Sequence, residues 1–355
     1  MKENAIIITH AYLATPRAKT AHGLIRDSSK YHILAVIDPE HGGKDAGEVV
    51  DGKKRNIPVF NHLEEFMAQS REAATVCLVG VAGKGGLIPN GMLDTVKEAI
   101  KAGMSIVSGL HEYMSDIEEL TTLAEEHGVS ITDIRRPKPR HTLKFWNGSI
   151  KKVKCPKVAI LGTDCNLGKR TTTRLLMHAL EEACIQTEMI YTGQTGWMQG
   201  SEYGFIFDST LNDFISGELE DAIVRCYEAK HPQIILLEGQ SSLRNPSGPG
   251  GSEFLMSGDA KYVILQHAPG RTYFYHFEEE QFEIPSLESE IKLIESYGSQ
   301  VIAITINEQN LSPEEARAYQ EQYEDKFGIP VLIPLQEGMQ ACIPHIQKMI
   351  DSHED

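Results

Sequence analysis

Short apolar runs alternate with amphipathic stretches along the whole chain. Residues 6–8, 32–37, 76–79 and 105–107 are compact aliphatic runs bounded by turn-forming residues. Between or after them, residues 19–26, 63–68, 91–102 and 116–127 repeat their apolar positions with helical spacing. Strands of that length with helices between them predict a parallel sheet covered on both faces. From residue 155 the alternation resumes, with strand-like runs at 158–161, 187–191, 234–237, 262–266, 301–306 and 331–333. Ser312-Pro-Glu-Glu315 has the form of a capping box with proline in the first turn. The helix it opens places Ala316, Tyr319, Tyr323 and Phe327 on one stripe, and Gly328 stops it.

The segment between the two α/β stretches differs in character. Arg135, Arg136, Lys138, Arg140, Lys144, Lys151, Lys152, Lys154 and Lys157 crowd into it, together with Pro137 and Pro139. Asn147-Gly148 stands between two strand-like runs, 143–146 and 149–153, which predicts a small hairpin. The cations read either as a solvated linker or as a basic wall beside an anion site. The expected division is a first domain over 1–134, a basic linker or hairpin over 135–157, and a second domain over 158–355.

Composition narrows the function classes. At 355 residues the chain is long for one core, and two domains are expected. With 41% hydrophobic and 24% charged residues it reads as an ordinary globular protein. A net charge of −16 opposes a general nucleic-acid or anionic-membrane surface, so neither partner is expected. Any phosphate ligand then has to be held by local loops and a few placed cations. The apolar run within Met1 to His10 is too short for a signal peptide, and no segment has the length of a transmembrane helix. Six scattered cysteines without a Cys-x-x-Cys pair fit reduced thiols in a cytoplasmic protein and no metal site. A homo-oligomer acting on small molecules is the expected form.

The stretch from Val158 to Thr172 is the most informative. A strand-like run enters Gly162-Thr-Asp-Cys-Asn-Leu-Gly168-Lys169 and a helical pattern leaves it. That is the strand, phosphate-cradling loop and helix of a P-loop, with one more residue between the glycines than usual. Backbone N–H groups and the helix N-terminus form an anion site there, and the lysine adds a point charge. Where an ATPase places Ser or Thr to ligate Mg²⁺, Arg170 follows the lysine, with Thr171 and Thr172 behind it. An arginine cannot ligate metal but makes charge-assisted bonds to phosphate. Gly162, Thr163, Asp164, Cys165, Gly168, Lys169, Arg170, Thr171 and Thr172 are the candidate contacts to a polyphosphate-bearing ligand held without metal.

Ligands of α/β sheets lie at strand C-termini, and more candidates stand at such ends. Thr192-Gly-Gln-Thr-Gly196 supplies Gln194, Thr195 and Gly196 as substrate contacts or oxyanion donors. Glu238, followed by Gly239 and Gln240, and His267, followed by Arg271, offer two candidate general bases. Glu238 reads equally as a group fixing neighbouring backbone N–H groups, and a lone histidine such as His267 more often serves a local hydrogen bond. Arg271, Arg244 and Lys19 are candidates to pair with substrate carboxylates, Gln240 and His22 are further polar contacts, and Asp213 is either a helix cap or a substrate contact. Asp38 ends the second strand, where a ribose-binding acid would stand, but the loop over 9–17 has no glycine, which disfavours NAD. The glycine-rich run 80–86 is a weaker anion candidate.

Taken together, Ala18-Lys-Thr-Ala-His-Gly-Leu24, Gly43-Lys-Asp-Ala-Gly-Glu48, Ser108-Gly-Leu-His111, Gly162-Thr-Asp-Cys165 with Gly168-Lys169, Thr192-Gly-Gln-Thr-Gly196, Glu238-Gly-Gln240 and Pro269-Gly-Arg271 resemble a bacterial two-domain family. That resemblance implies an N-terminal Rossmann-like parallel-sheet domain and a C-terminal P-loop NTPase-like α/β domain. The activity it implies is D-glutamate N-acetyltransferase, with acetyl-CoA as co-substrate. The run from Ile57-Pro-Val-Phe60 to Val107 also looks like the CoA-binding domain of succinyl-CoA synthetase. Coenzyme A carries a pyrophosphate but needs no hydrolysis, which agrees with a loop lacking a metal ligand after Lys169. The rival reading is a Mg·ATP-dependent ligase or kinase resembling dethiobiotin synthetase, with Thr171 and Glu238 on the metal.

Overall fold

The computed structural model describes residues 2–82 and 84–354; Gly83, within the glycine-rich run 80–86, lies outside them. The chain forms two compact units. The first runs to Pro137 and also takes in Gly193–Ser201; the second holds Lys138–Thr192 and continues from Glu202.

In the first unit, β1 (Glu3–Ile8), β2 (Tyr31–Ile37), β3 (Val59–Phe60), β4 (Val76–Val79), β5 (Ser105–Ser108) and β6 (Ile131–Asp133) form a parallel sheet. Its order, β3-β2-β1-β4-β5-β6, is that of the Rossmann fold. Side chains alternate across a strand, so β1 serves two cores. Ile6 and Ile8 pack with Val96, Ile100 and Leu120, which come from the helices Met92–Lys101 and Glu118–His127. Ala5 and Ile7 pack on the opposite face with Leu24 and Ile25 of the helix Lys19–Arg26, and with Met198. The sequence pattern did not reveal the helix Ala46–Asp51, β3 or β6. All three are too short to show a period, and the helix is set by a cap, Asp45, which accepts from the N–H groups of Gly47 and Glu48.

The second unit contains β7 (Lys157–Gly162), β8 (Thr187–Tyr191), β9 (Tyr203–Gly204), β10 (Ile234–Glu238), β11 (Tyr262–His267), β12 (Gln300–Ile306) and β13 (Val331–Leu332). They lie parallel in the order β13-β12-β11-β7-β10-β8-β9. Again both faces are covered. Ala159 and Leu161 pack with Leu219 and Ile223 of the helix Asn212–Lys230, whereas Val158 and Ile160 pack with Leu176 and Leu180 of the helix Lys169–Glu182. Double burial explains why these strands read as continuous apolar runs. Because every pairing is parallel, the C-terminal ends of β7, β8, β10, β11 and β12 share one edge of the sheet.

The predicted hairpin at Asn147-Gly148 does not form. Ser149–Lys152 is a 3₁₀ turn instead. Carboxylates of the helix Asn212–Lys230 take the backbone donors that a ladder would have used: Glu220 accepts from Asn147 N (2.8 Å) and Ile150 N (3.0 Å), and Glu218 from Lys144 N (2.9 Å). Most cations of this segment point to solvent, as the linker reading expected. Arg135 and Lys157 are the exceptions, 7% and 4% exposed; Arg135 donates to the Gly109 carbonyl, and Lys157 has Asp259 at 3.7 Å. The capping box does form, with Glu315 N donating to Ser312 Oγ (3.2 Å) and Ser312 N to Glu315 Oε2 (2.7 Å). Its helix, Pro313–Phe327, packs Ala316, Tyr319, Tyr323 and Phe327 against the core.

Candidate functional site

The strand β7 ends in the glycine-bounded loop, and the helix Lys169–Glu182 leaves it. Gly168 precedes that helix with φ +95°, a left-handed conformation that glycine adopts without strain. Lys169 folds back across the loop, its Nζ donating to the carbonyls of Asp164 and Ser241, both at 2.7 Å. A Cβ on Gly162 would come within 3.2 Å of that Nζ, so the glycine keeps the space into which the lysine turns.

Asp164 is wholly buried and saturated. It accepts from Cys165 N (2.6 Å), Asn245 Nδ2 (2.9 Å), Arg271 Nη1 (2.7 Å) and Tyr275 N (2.8 Å). Arg271 donates further to the carbonyl of Cys165 (2.9 Å) and to Gln309 Oε1 (2.5 Å). Its guanidinium braces the loop, so the structure does not leave it as the substrate-pairing group the sequence suggested. Thr172, expected on phosphate, is 2% exposed and donates to Gln266 Oε1 (2.5 Å), which also accepts from Thr305 (2.8 Å). Arg170 and Thr171 remain partly exposed beside the loop.

Both candidate bases stand at strand ends. Glu238 closes β10, accepts from Thr192 N (3.1 Å), and offers its carbonyl to Thr192 Oγ1 (2.6 Å). Burial pushes its carboxyl above the ordinary value, against the opposing pull of Arg170, the Thr192 N–H, Arg174 and Lys169. His267 closes β11 and shares a hydrogen bond of 2.9 Å between its Nδ1 and Thr163 Oγ1. Burial, and then Arg271, hold its imidazole down to about 4, so it is neutral near pH 7.

Other sequence candidates lie elsewhere or are engaged. Arg244 Nε donates to Glu290 (2.7 Å) and its Nη1 to Ser289 (2.7 Å), so it is held by an internal ion pair. Gln240 Nε2 donates to Thr192 Oγ1 (3.0 Å), next to Glu238. Asp213 is exposed in the first turn of its helix and does not cap it, since the N-cap is Leu211. Gln194, Thr195 and Gly196 open a short helix of the first unit, where Thr195 Oγ1 meets Thr20 Oγ1 at 3.1 Å and Gln194 Nε2 donates to the same hydroxyl (3.3 Å). They are not among the groups that the second unit brings to its strand ends. Lys19 and His22 sit in the first unit as well, His22 Nε2 lying 2.7 Å from the Leu13 carbonyl. Asp38 is fully buried and accepts from Thr9 Oγ1 (2.6 Å), Leu13 N (3.1 Å) and Glu40 N (3.1 Å), with His41 Nδ1 at 2.7 Å, so its carboxylate locks loops.

Sequence reasoning gave no role to Thr192, Asn245 or Asn307. Asn307 Nδ2 donates to the Leu167 carbonyl (2.7 Å) and so supports the loop. Thr192 and Asn307 each follow directly on a strand; the strand-end rule reached the loop of Thr192 without giving that residue a role, and would have flagged Asn307.

Comparison with known proteins agrees with both units. Residues 39–137 match a Rossmann-like domain and residues 144–343 a P-loop domain, the N- and C-terminal parts of DUF1611, each described as a domain of unknown function. A protein of Pseudoalteromonas sp. named D-glutamate N-acetyltransferase is 31% identical over 280 residues, covering 77% of this chain and 81% of the relative. A second of that name, from Tritonibacter scottomollicae, is 29% identical over 283 residues, or 78% of this chain and 81% of the relative. The crystal structure of a DUF1611 family protein from Anabaena variabilis superposes with a TM-score of 0.87 at 27% identity, over 98% of this chain and 100% of the other. With more than half of its length matched and its fold shared throughout, the chain belongs to the DUF1611 family.

Proposed function

We propose that the protein transfers an acetyl group from acetyl-CoA to the amino group of an acidic amino acid, with D-glutamate as the acceptor. The observation that carries this reading is the bond between Thr163 Oγ1 and His267 Nδ1. It fastens a neutral imidazole to a loop whose backbone suits phosphate. The names of the two relatives support the same acceptor. The donor set fits a pyrophosphate: Lys169 and Arg170 stand at the N-terminus of a helix, and Ser242 Oγ, next in sequence to Ser241, is buried with no hydrogen-bond partner among the described residues.

Acetyl-CoA supplies the activated acetyl thioester, and the chain's own groups position it and move one proton. Lys169 and Arg170 hold the phosphates. The acceptor reacts as its free amine; its nitrogen bonds to the acetyl carbonyl carbon and the carbon–sulfur bond breaks. His267 Nε2 takes the surplus proton of that nitrogen and returns it to the departing sulfur, which leaves as thiol. This requires the tautomer in which Nδ1–H donates to Thr163 Oγ1. An imidazole held near 4 is too weak to strip an ordinary ammonium, but it suffices for a nitrogen made acidic by bond formation. Glu238, enclosed by Thr192 and three cations, keeps the cationic group in place.

Lys169→Ala should raise the KM for acetyl-CoA by about tenfold or more while the KM for the amino acid stays near that of the parent enzyme. An unchanged KM for acetyl-CoA would remove the loop from the proposal. Binding of ATP that strengthens with Mg²⁺, together with no binding of CoA, would favour the ligase reading instead.

A further inference from the structure

Beside His267 the second unit holds a cavity of about 300 Å³. Tyr323 and Phe327, successive rings of one helix with centroids 6.0 Å apart, form one wall, and Ile284 and Leu287 line it as well. The imidazole of His267 lies 5.9 Å from the Tyr323 ring. Its Nε2 has no hydrogen-bond partner among the described residues, whereas its Nδ1 is committed. Lys326 and Glu288 also line this space, their charged groups 3.2 Å apart.

We infer that this cavity is the binding site of the acceptor, a small acidic amino acid. The inference rests on the acyl-transfer reading above and adds to it a place for the second substrate. Size decides between the two substrates: a space of this volume is at the small end of ligand pockets and takes an amino acid, not coenzyme A. Lys326 offers a cation to one carboxylate of the acidic acceptor, and Glu283 and Glu288 offer acceptors to its ammonium, at the cost of opening one half-exposed ion pair. The apolar wall covers the carbon skeleton. Nε2 then faces the substrate nitrogen from the same imidazole that Thr163 fastens to the phosphate loop. None of the substrate contacts expected from sequence except Arg271 lines this space, and Arg271 is held there by Asp164.

Calorimetric titration of the full chain with D-glutamate, with and without CoA, tests the site separately from turnover. Lys326→Glu and Tyr323→Ala should each weaken D-glutamate binding about tenfold or more and leave CoA binding unchanged, with circular dichroism confirming that both variants are folded. In steady state the same variants should raise the KM for the amino acid alone. Unchanged D-glutamate binding in both folded variants overturns the cavity assignment, even where acetyl transfer persists. D-Glutamate binding that is lost in the variants, in a protein without acetyl transfer, upholds the site and removes the transferase reading.

Discussion

At the scale of single residues, two buried groups set the character of the loop. Asp164 collects four donors and holds Arg271 against them, so removing either partner strands the other charge away from water. His267 has a signature that can be measured. Its folded imidazole stays neutral down to about 4, whereas the ordinary value is 6.5. Below that ordinary value the unfolded chain binds a proton that the native state refuses. This residue's contribution is therefore complete above about pH 6.5 and is lost as the pH falls toward about 4, a change on the order of 3 kcal/mol. His267→Gln should flatten the fall in unfolding free energy over that window, read by denaturant titration at several pH values. An unchanged slope would place the imidazole in a wetter setting. Residue types were legible here and partners were not. Arg271 has the chemistry to bind a carboxylate, and it binds one, but from Asp164, 107 positions away.

At the scale of elements, the helix Pro313–Phe327 begins with a reciprocal cap and carries the aromatic wall of the cavity. Ser312→Ala removes the acceptor for Glu315 N and should cost about 1 kcal/mol in a denaturant melt. A loss well above that would mean that the cap also fixes the position of Tyr323. This helix was legible because its cap, stripe and stop are all local. The long strands were legible for a related reason: burial on both faces writes them as uninterrupted aliphatic runs. β3 and β9 are two residues each and leave no pattern, whereas β13, equally short, still shows as the apolar run 331–333. The failed hairpin teaches the complementary lesson. Asn147-Gly148 is a sound local turn signal, but Glu218 and Glu220, about seventy positions later, supply acceptors that outcompete a ladder.

At the scale of the whole molecule, a surplus of acidic groups, −16 overall, leaves recognition of an anion to a few sheltered cations. The two α/β units were visible as two rounds of strand and helix. What the order of residues hid is that the first unit draws on a later part of the chain. Residues Gly193–Ser201 follow β8 but belong with the first sheet, where Met198 is fully buried beside Ala5, Ile7 and Leu24. Gln199 donates to the carbonyls of Gly23 and Asp27, both at 2.9 Å, and the Lys30 ammonium sits 3.4 Å from the Trp197 ring centroid. Met198→Ala should destabilise the first unit by about 2–5 kcal/mol, seen as a lowered midpoint in hydrogen exchange of β1 and β2 amides. Exchange unchanged at those amides would remove Met198 from that core.

This borrowing has a consequence for how the protein is made. The ribosome delivers β1 to β6 first, yet the core on one face of that sheet is completed by Met198 only when the polypeptide has been extended past position 201. By then β7, β8 and the phosphate loop have already been synthesised. Maturation cannot proceed strictly from the amino end onward, as is common for proteins of two domains. Until then Ala5, Ile7 and Leu24 lack the part of their packing that Met198 supplies.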